Sequence, residues 1–329
     1  MVDPVVALLE IATLLERERA SRYRAKAFRQ AAATFEALPE AVRGDPNRLR
    51  ATKGIGESTF AVIRQAQAGE IPSYLVELRG EVEPERRSLL RTKLRGDLHA
   101  HTEWSDGATP ISAMADAARA LGHEYLAITD HSPRLRVARG LSTERLRKQM
   151  PLVRAESTDA FRMLAGIEVD ILDDGTLDQD QALLGELDIV VASVHSKLRM
   201  DSRSMTQRMI VAVSNPRVNV LGHCTGRLVQ GERGTRERSQ FDARAVFEAC
   251  AENGVAVEIN ARPERQDPPD DLIALALDAG CLFSIDSDAH APGQLSLLDH
   301  GAERAENAGV PAERIVTTWG LERLKAWAE

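Results

Sequence analysis

Six of the eight histidines in this 329-residue chain fall in short clusters with acidic residues, and each cluster closes a run of apolar residues. The clusters are His99-Ala100-His101 with Asp106 just beyond, Asp130-His131, Glu168 within Gly166-Ile167-Glu168-Val169-Asp170, His195, His223, and Asp288-Ala289-His290. Mixed imidazole and carboxylate donors suit Zn²⁺, Mn²⁺ or Fe²⁺ better than thiolate-selective or oxygen-only ions. One histidine at a strand end is ordinarily a hydrogen-bonded core or surface group. Repetition points elsewhere: strand after strand ends in His, Asp or Glu, while His123 and His300 fall on helix or loop positions. Nine donors shared among three ions leave each shell incomplete and open to water and substrate. Neighbouring divalent ions activate water and neutralise the attacking and leaving oxygens of a phosphate ester, so the pattern reads as catalytic.

The elements that must position these residues alternate. Apolar runs at 94–100, 124–130, 161–170, 187–194, 217–222, 255–260 and 281–287 read as seven strands. Between them, amphipathic patterns near 110–121, 143–157, 178–186, 203–214, 242–253, 270–279 and 294–309 read as helices, the alternation of a parallel α/β sheet or barrel. In a barrel, functional residues gather at the C-terminal strand ends, where every cluster above falls.

Residues 4–90 read differently, as helices throughout. Val5, Leu8, Leu9, Ala12 and Leu15 recur at helical spacing, a second helix runs from about Arg22 to Ala37, and another covers 57–68. The charged stretch Glu81–Arg87 has little to bury and reads as a joint, giving domains at 1–84 and 94–329 with a linker at 85–93. Charge divides with it: 17 Lys+Arg face 13 Asp+Glu in 1–95, and 25 face 37 in the remainder. The basic part can face a polyanion, and the acidic part suits cations. Three scattered cysteines exclude a disulfide framework, and no signal-peptide pattern or membrane-length apolar run is present, so a cytoplasmic location without membrane contact is expected.

Gly96-Asp97-Leu98-His99-Ala100-His101-Thr102, Ser105-Asp106-Gly107, Ile128-Thr129-Asp130-His131-Ser132, Gly166-Ile167-Glu168, Ser193-Val194-His195-Ser196, Gly222-His223 and Ser287-Asp288-Ala289-His290 resemble, in order, the motifs of the polymerase and histidinol phosphatase (PHP) family of metallophosphoesterases. The resemblance covers about 94–329 and implies a distorted (β/α)7 TIM-like barrel with three divalent ions. By motif, His99, His101, Glu168 and Asp288 would hold one ion, Glu168, His195 and His223 a second with Glu168 as bridge, and Asp106, His131 and His290 the third, while Asp97 and Asp130 would orient neighbouring imidazoles through hydrogen bonds. Cations near these loops would hold the substrate phosphate: Arg134, Arg139, Lys197, Arg227 and Arg265 are the candidates. Arg265 follows Glu258-Ile259-Asn260-Ala261-Arg262-Pro263, which is similar to a family stretch, and Arg265 and Asn260 are favoured as substrate contacts.

Lys53-Gly54-Ile55-Gly56-Glu57-Ser58 reads as a helix-hairpin-helix turn whose glycines let backbone amides approach a DNA phosphate. Residues 5–78 resemble the N-terminal domain of family X DNA polymerases, whose bacterial members also end in a PHP domain. Lys53, Gly54, Gly56 and Arg64 are the expected DNA contacts. Too few residues separate the two segments for a polymerase palm. Val62 stands where related lyase domains carry a Schiff-base lysine, which argues against lyase chemistry. The expectation is a metal-dependent phosphatase acting on DNA 3′ ends. Its rivals are a small-molecule phosphatase of the histidinol phosphate or nucleotide type, and a non-catalytic DNA-binding protein with structural metals.

Overall fold

The computed structural model describes residues 2–18, 22–81, 88–231 and 234–329. The chain divides into two compact units, Met1–Arg86 with Pro292–Gln294 and Arg87–Ala291 with Leu295–Glu329. The charged joint expected at 85–93 begins on residues outside the described set, since 82–87 are not described.

In the second unit seven parallel strands follow one another in chain order: β1 (Gly96–Asp97), β2 (Tyr125–Ile128), β3 (Arg162–Asp170), β4 (Ile189–Ser193), β5 (Val220–Leu221), β6 (Ala256–Asn260) and β7 (Leu282–Asp286). The strands match the seven apolar runs, and β1 and β5 are shorter than expected. The expected helix at 178–186 is a single turn, Gln181–Leu184.

Side chains alternate across the pleat. Met163, Ala165, Ile167 and Val169 of β3 and Val257 and Ile259 of β6 join the apolar layer beneath the surrounding helices. Leu164, Ile189, Val191, Val220 and Ala256 belong to a separate cluster that fills one end of the barrel. The residues that continue this inner set, Glu168 and Asp170 on β3 and Glu258 and Asn260 on β6, fill the other end with polar atoms. Val316, Trp319 and Leu324 complete the apolar end. Leu324 comes from the helix Leu321–Ala328, which the sequence reading did not include.

The ring closes without a regular β1–β7 ladder. One parallel bridge joins Ala100 and Ala289, with the His101 amide donating to the Ala289 carbonyl at 2.7 Å. Beside it, side chains replace backbone acceptors. The Asp286 carboxylate takes the Leu98 amide at 2.8 Å, and Asp97 takes the Ser287 amide at 3.2 Å and the Ser287 hydroxyl.

The first unit is all-helical: Pro4–Arg17, Arg22–Ala37, Glu40–Arg43, Pro46–Arg50, Glu57–Gln67 and Ser73–Glu81. Asp3 caps the first helix by accepting from Val5 at 2.7 Å, and Pro4 stands in its first turn, where no amide partner is lost. Its core joins Leu8, Ile11, Phe28, Leu49, Ile63 and Leu75. Among the described residues, no helix is long and apolar enough to cross a membrane.

Candidate metal centre

All nine expected ligands converge at the polar end of the barrel. Donor atoms lie within 4.8 Å of one another in four overlapping groups: His101, Asp106, His131 and His290; His99, Glu168 and His223; His99, His101 and Asp288; His131, Glu168 and His195. The resemblance implies three sets, and the same residues form one continuous cluster here, with His99, His101, His131 and Glu168 each shared between groups. Asp106 reaches it from a tight turn. A β-carbon at Gly107 would stand 2.7 Å from the backbone of both His101 and Thr102.

Two features show that this cluster fits metal ions. Two ligands each ~2.1 Å from a tetrahedral ion stand about 3.4 Å apart. The pairs His99–Glu168 at 3.3 Å, His101–Asp288 and His290–Asp106 at 3.4 Å, and His131–Asp106 at 3.5 Å have that spacing. Second, the buried atoms His99 Nε2, both nitrogens of His101, His131 Nδ1, His195 Nε2, His223 Nδ1 and both oxygens of Glu168 make no hydrogen bond of good geometry, and Glu168 meets only imidazoles, His131 Nδ1 and His223 Nε2 each at 2.8 Å. Each orphaned buried polar atom costs about 1–3 kcal/mol, so so many at one point need a common partner.

The imidazoles are aimed by partners that the sequence reading misassigned. Glu258 meets His99 Nδ1 at 2.6 Å, and Asp170 meets His195 Nδ1, which leaves each Nε2 facing Glu168. Asp97 and Asp130, expected in this role, serve the backbone and hydroxyls instead. Asp97 takes the His99 amide and Ser287, and Asp130 takes Thr102, Ser105 and Gln149. The amides and hydroxyls at the strand ends take up both carboxylates, whereas Glu258 and Asp170 lie on the inward faces of β6 and β3. The inward period of those strands, counted from Asn260 and Glu168, would have found them.

Electrostatics favour the coordinating forms of the acids. Burial opposes ionisation of Glu168, but His195, His131 and His99 around it hold its carboxyl well below the usual range. Burial likewise opposes Asp288, which Arg265, His101 and Arg262 keep ionised. Burial and the neighbouring His290 and His131 press His101 down to about 3, so it stays neutral. His195 goes the other way: burial opposes its charge, yet Glu168 and Asp170 raise it to about 9.

A cavity of about 190 Å³ opens on the cluster, lined by candidate ligands, by Leu135, Val137, Val194 and Leu198, and by Arg236 and Arg265. Of the expected phosphate-binding cations, only Arg265 lines it. Its Nε donates to Asp288 at 3.1 Å. Arg139 is held by the Glu103 and Ser105 carbonyls, Arg227 by the carbonyls of Arg265 and Gln266, and Lys197 by Asp173 at 2.6 Å. Arg134 is exposed outside the cavity. Asn260 is fully buried and donates to Glu258 and Asp288, both at 3.2 Å, so it holds the acids and does not face the opening. Arg236, which no motif marks, was missed.

In the helical unit a pocket of about 480 Å³ lies beside the hairpin, lined by Arg24, Phe28, Gly54, Gly56, Val62 and Tyr74 among others. Gly54 has φ 96°, and a β-carbon there would stand 2.9 Å from the Thr34 hydroxyl, so only glycine suits the turn. The Gly56 amide donates to the Thr59 hydroxyl at 3.0 Å and is already occupied. Lys53 is exposed, and Arg64 donates to Gln67 at 2.9 Å. Neither lines the pocket.

Comparison with known proteins agrees with this geometry. A family model described as PHP domain matches residues 97–262, half of the chain. The chain belongs to the PHP domain family. A helix-hairpin-helix domain model matches residues 3–69, so the two matched segments follow one another with no domain-sized stretch between. DNA polymerase/3′-5′ exonuclease PolX of Bacillus subtilis is 36% identical over 71% of this PHP-family chain, which spans only 41% of that protein. A probable phosphatase of Thermoanaerobacter is 28% identical over 69% of the chain and 91% of its own length. Among solved structures, histidinol phosphate phosphatase of Lactococcus lactis, complexed with zinc, L-histidinol and phosphate, superposes with a TM-score of 0.46 at 18% identity, over 65% of this chain and 94% of its own.

Proposed function

We propose that this protein is a metal-dependent phosphoric ester hydrolase with three divalent ions, Zn²⁺ or Mn²⁺ with Fe²⁺ as the other fitting ion, acting on phosphate at DNA 3′ ends. The convergence of orphaned imidazole and carboxylate donors at ion-ligand spacing carries the reading. His99, His101 and Asp288, Glu168 with His195 and His223, and Asp106 with His131 and His290 are the proposed ligands, and Glu168 is the proposed bridge. Bound ions would supply Lewis acidity and a water of lowered pKa. Glu258 and Asp170 hold the imidazoles of His99 and His195 with Nε2 directed inward. Arg265, anchored through Nε, presents its remaining guanidinium N–H groups to phosphate oxygens and offsets charge gathering on them during in-line attack. Asn260 is reassigned from substrate contact to support of Glu258 and Asp288.

The DNA reading is supported by the match to a helix-hairpin-helix domain beside the metal-site domain, the pairing that also motivates comparison with PolX. A second reading, a small phosphomonoester as substrate, is favoured by the modest volume of the cavity. Protein loaded with Mn²⁺ or Zn²⁺ should release phosphate or nucleotide from 3′-labelled DNA, and His99→Ala should not. Turnover of histidinol phosphate, p-nitrophenyl phosphate or nucleoside monophosphates with DNA left intact would select the second reading. DNA binding with no ester hydrolysed under any metal would refute both and favour a non-catalytic role.

A further inference from the structure

Part of the cavity lining is apolar, although phosphate needs none of it. It is formed by Leu135, Val137 and Ala138 from the loop after β2 together with Val194 and Leu198 from the segment after β4. Val137 is 92% exposed, the barest large aliphatic side chain among the described residues, yet it lines the mouth of a polar site. An exposed aliphatic group at one place on a surface is ordinary. This one is held there by a built turn. The Ala138 amide donates to Leu135 at 3.1 Å, Gly140 to Leu135 at 3.2 Å, and Leu141 to His131 at 2.7 Å. Arg139 ties the turn to the Glu103 and Ser105 carbonyls, and Arg145 ties the Arg139, Gly140 and Trp104 carbonyls together. The loop is thus locked to the turn that carries Asp106, so Val137 keeps its station relative to the ligands.

The same loop carries Arg134 and Arg136, both exposed and outside the cavity. Apolar side chains in the lining of a phosphate site, with exposed cations on the same loop, match one kind of ligand. The reacting phosphate goes to the candidate ligands, a flat base goes against the apolar side chains, and further phosphates lie along the arginines. We propose that Leu135 and Val137 form the base subsite for the terminal nucleotide of a DNA strand, with Arg134 and Arg136 binding the backbone of the strand behind it. The inference rests on the hydrolase reading and names the group that its substrate carries beyond the phosphate. In the reaction a water oxygen bonds to phosphorus, the P–O3′ bond breaks, and a proton from that water ends on the departing O3′.

The test compares three substrates on metal-loaded full-length protein: an oligonucleotide with an ordinary 3′-terminal nucleotide, the same strand ending in an abasic tetrahydrofuran nucleotide, and glycerol phosphate. Val137→Ser should lower kcat/KM about five- to tenfold on the base-bearing end and change the other two less than about twofold. Arg136→Ala should lower kcat/KM on both oligonucleotides, more at 50 mM than at 200 mM salt on the order expected for one phosphate contact, and leave glycerol phosphate unchanged. Val137 is exposed, so its replacement does not threaten folding. An equal fall on all three substrates, or an unchanged base-bearing end, overturns the subsite. Wild-type turnover of glycerol phosphate without any turnover of oligonucleotides overturns the subsite alone, and inactivity on all three overturns the hydrolase reading with it.

Discussion

The metal cluster and the hairpin are both motif-bearing regions, and they differ in what their polar atoms are doing. At the barrel mouth, buried nitrogens and carboxylate oxygens stand within ligand distance and make no hydrogen bonds of good geometry. At the hairpin, two of the four groups expected to greet a phosphate are already engaged, Gly56 with Thr59 and Arg64 with Gln67, and the nearby Arg50 and Arg24 are held by Glu57 at 2.7 Å and by Tyr74. An unsatisfied buried donor set carries a standing cost that only a ligand relieves, so its presence is evidence of one. A satisfied exposed turn has no such demand, and its glycines serve the fold whether or not DNA is bound.

The contrast makes the metal cluster the place of largest mutational effect. Glu168→Gln should reduce hydrolysis by on the order of a thousandfold or more and lower the number of ions bound per chain, measured by elemental analysis beside steady-state rates. Full activity with fewer ions would break the assignment of Glu168 as bridge. Arg265→Ala should cost about a hundredfold in kcat/KM while the metal content stays constant, with Arg265→Lys recovering part of it. Loss of metal in step with activity would make Arg265 a support for Asp288 only.

Next come the aiming acids. Glu258→Gln and Asp170→Asn should each weaken metal affinity by about ten- to a hundredfold, read by competition with a chromophoric chelator. In the metal-free protein, burial opposes a charge on His195 but Glu168 and Asp170 hold its pKa at about 9. Ion uptake must displace that proton, so affinity should rise between pH 6 and 9. A flat profile across that interval would contradict it.

His123 gives a smaller and independent effect. It is buried, both ring nitrogens lack partners, and burial together with Arg91 presses its pKa down to about 4. Below pH 6.5 the unfolded chain takes up a proton that the folded chain refuses, so stability falls with acid. His123→Leu should gain about 2–3 kcal/mol relative to the parent on going from pH 7 to pH 4.5, by urea unfolding at both values. At the hairpin, Lys53→Ala should change DNA affinity less than about threefold, measured by fluorescence anisotropy at fixed salt. A tenfold loss would restore the hairpin to the rank of the barrel mouth.

Periodicity made the strands legible because both kinds of strand face are marked. Outward residues are apolar, as Val257 and Ile259 show, and candidate ligands close every run but that of β6. The nine candidate ligands stand out in the sequence for the same reason: chemistry at the strand ends tolerates few residue types. The roles of Asp97 and Asp130 could not be read, since a carboxylate that serves a backbone amide looks identical in sequence to one that serves an imidazole. Only the partners that the fold brings to each carboxylate distinguish them. Arg236 stayed hidden because it sits in an irregular loop, and the helix Leu321–Ala328 because its few buried positions, Leu324 among them, give a weak pattern. Arg139 and Arg227 looked like phosphate contacts by proximity, but loop carbonyls left without partners claimed them.

The seam between β1 and β7 also dictates an order of assembly. The Leu98 amide and the Asp286 carboxylate that help to close it are 188 residues apart in the chain, whereas each other strand pairs with its immediate successor. Contacts of such long range pay the greatest loop-closure entropy and form after the local ones. His99 and His101 arrive with one side of that seam, Asp288 and His290 with the other. A chain caught before closure therefore holds Glu168 with His131, His195 and His223 on neighbouring strands but has not brought Asp288 and His290 to His99 and His101, and its capacity for ions is a clock for the last step of folding.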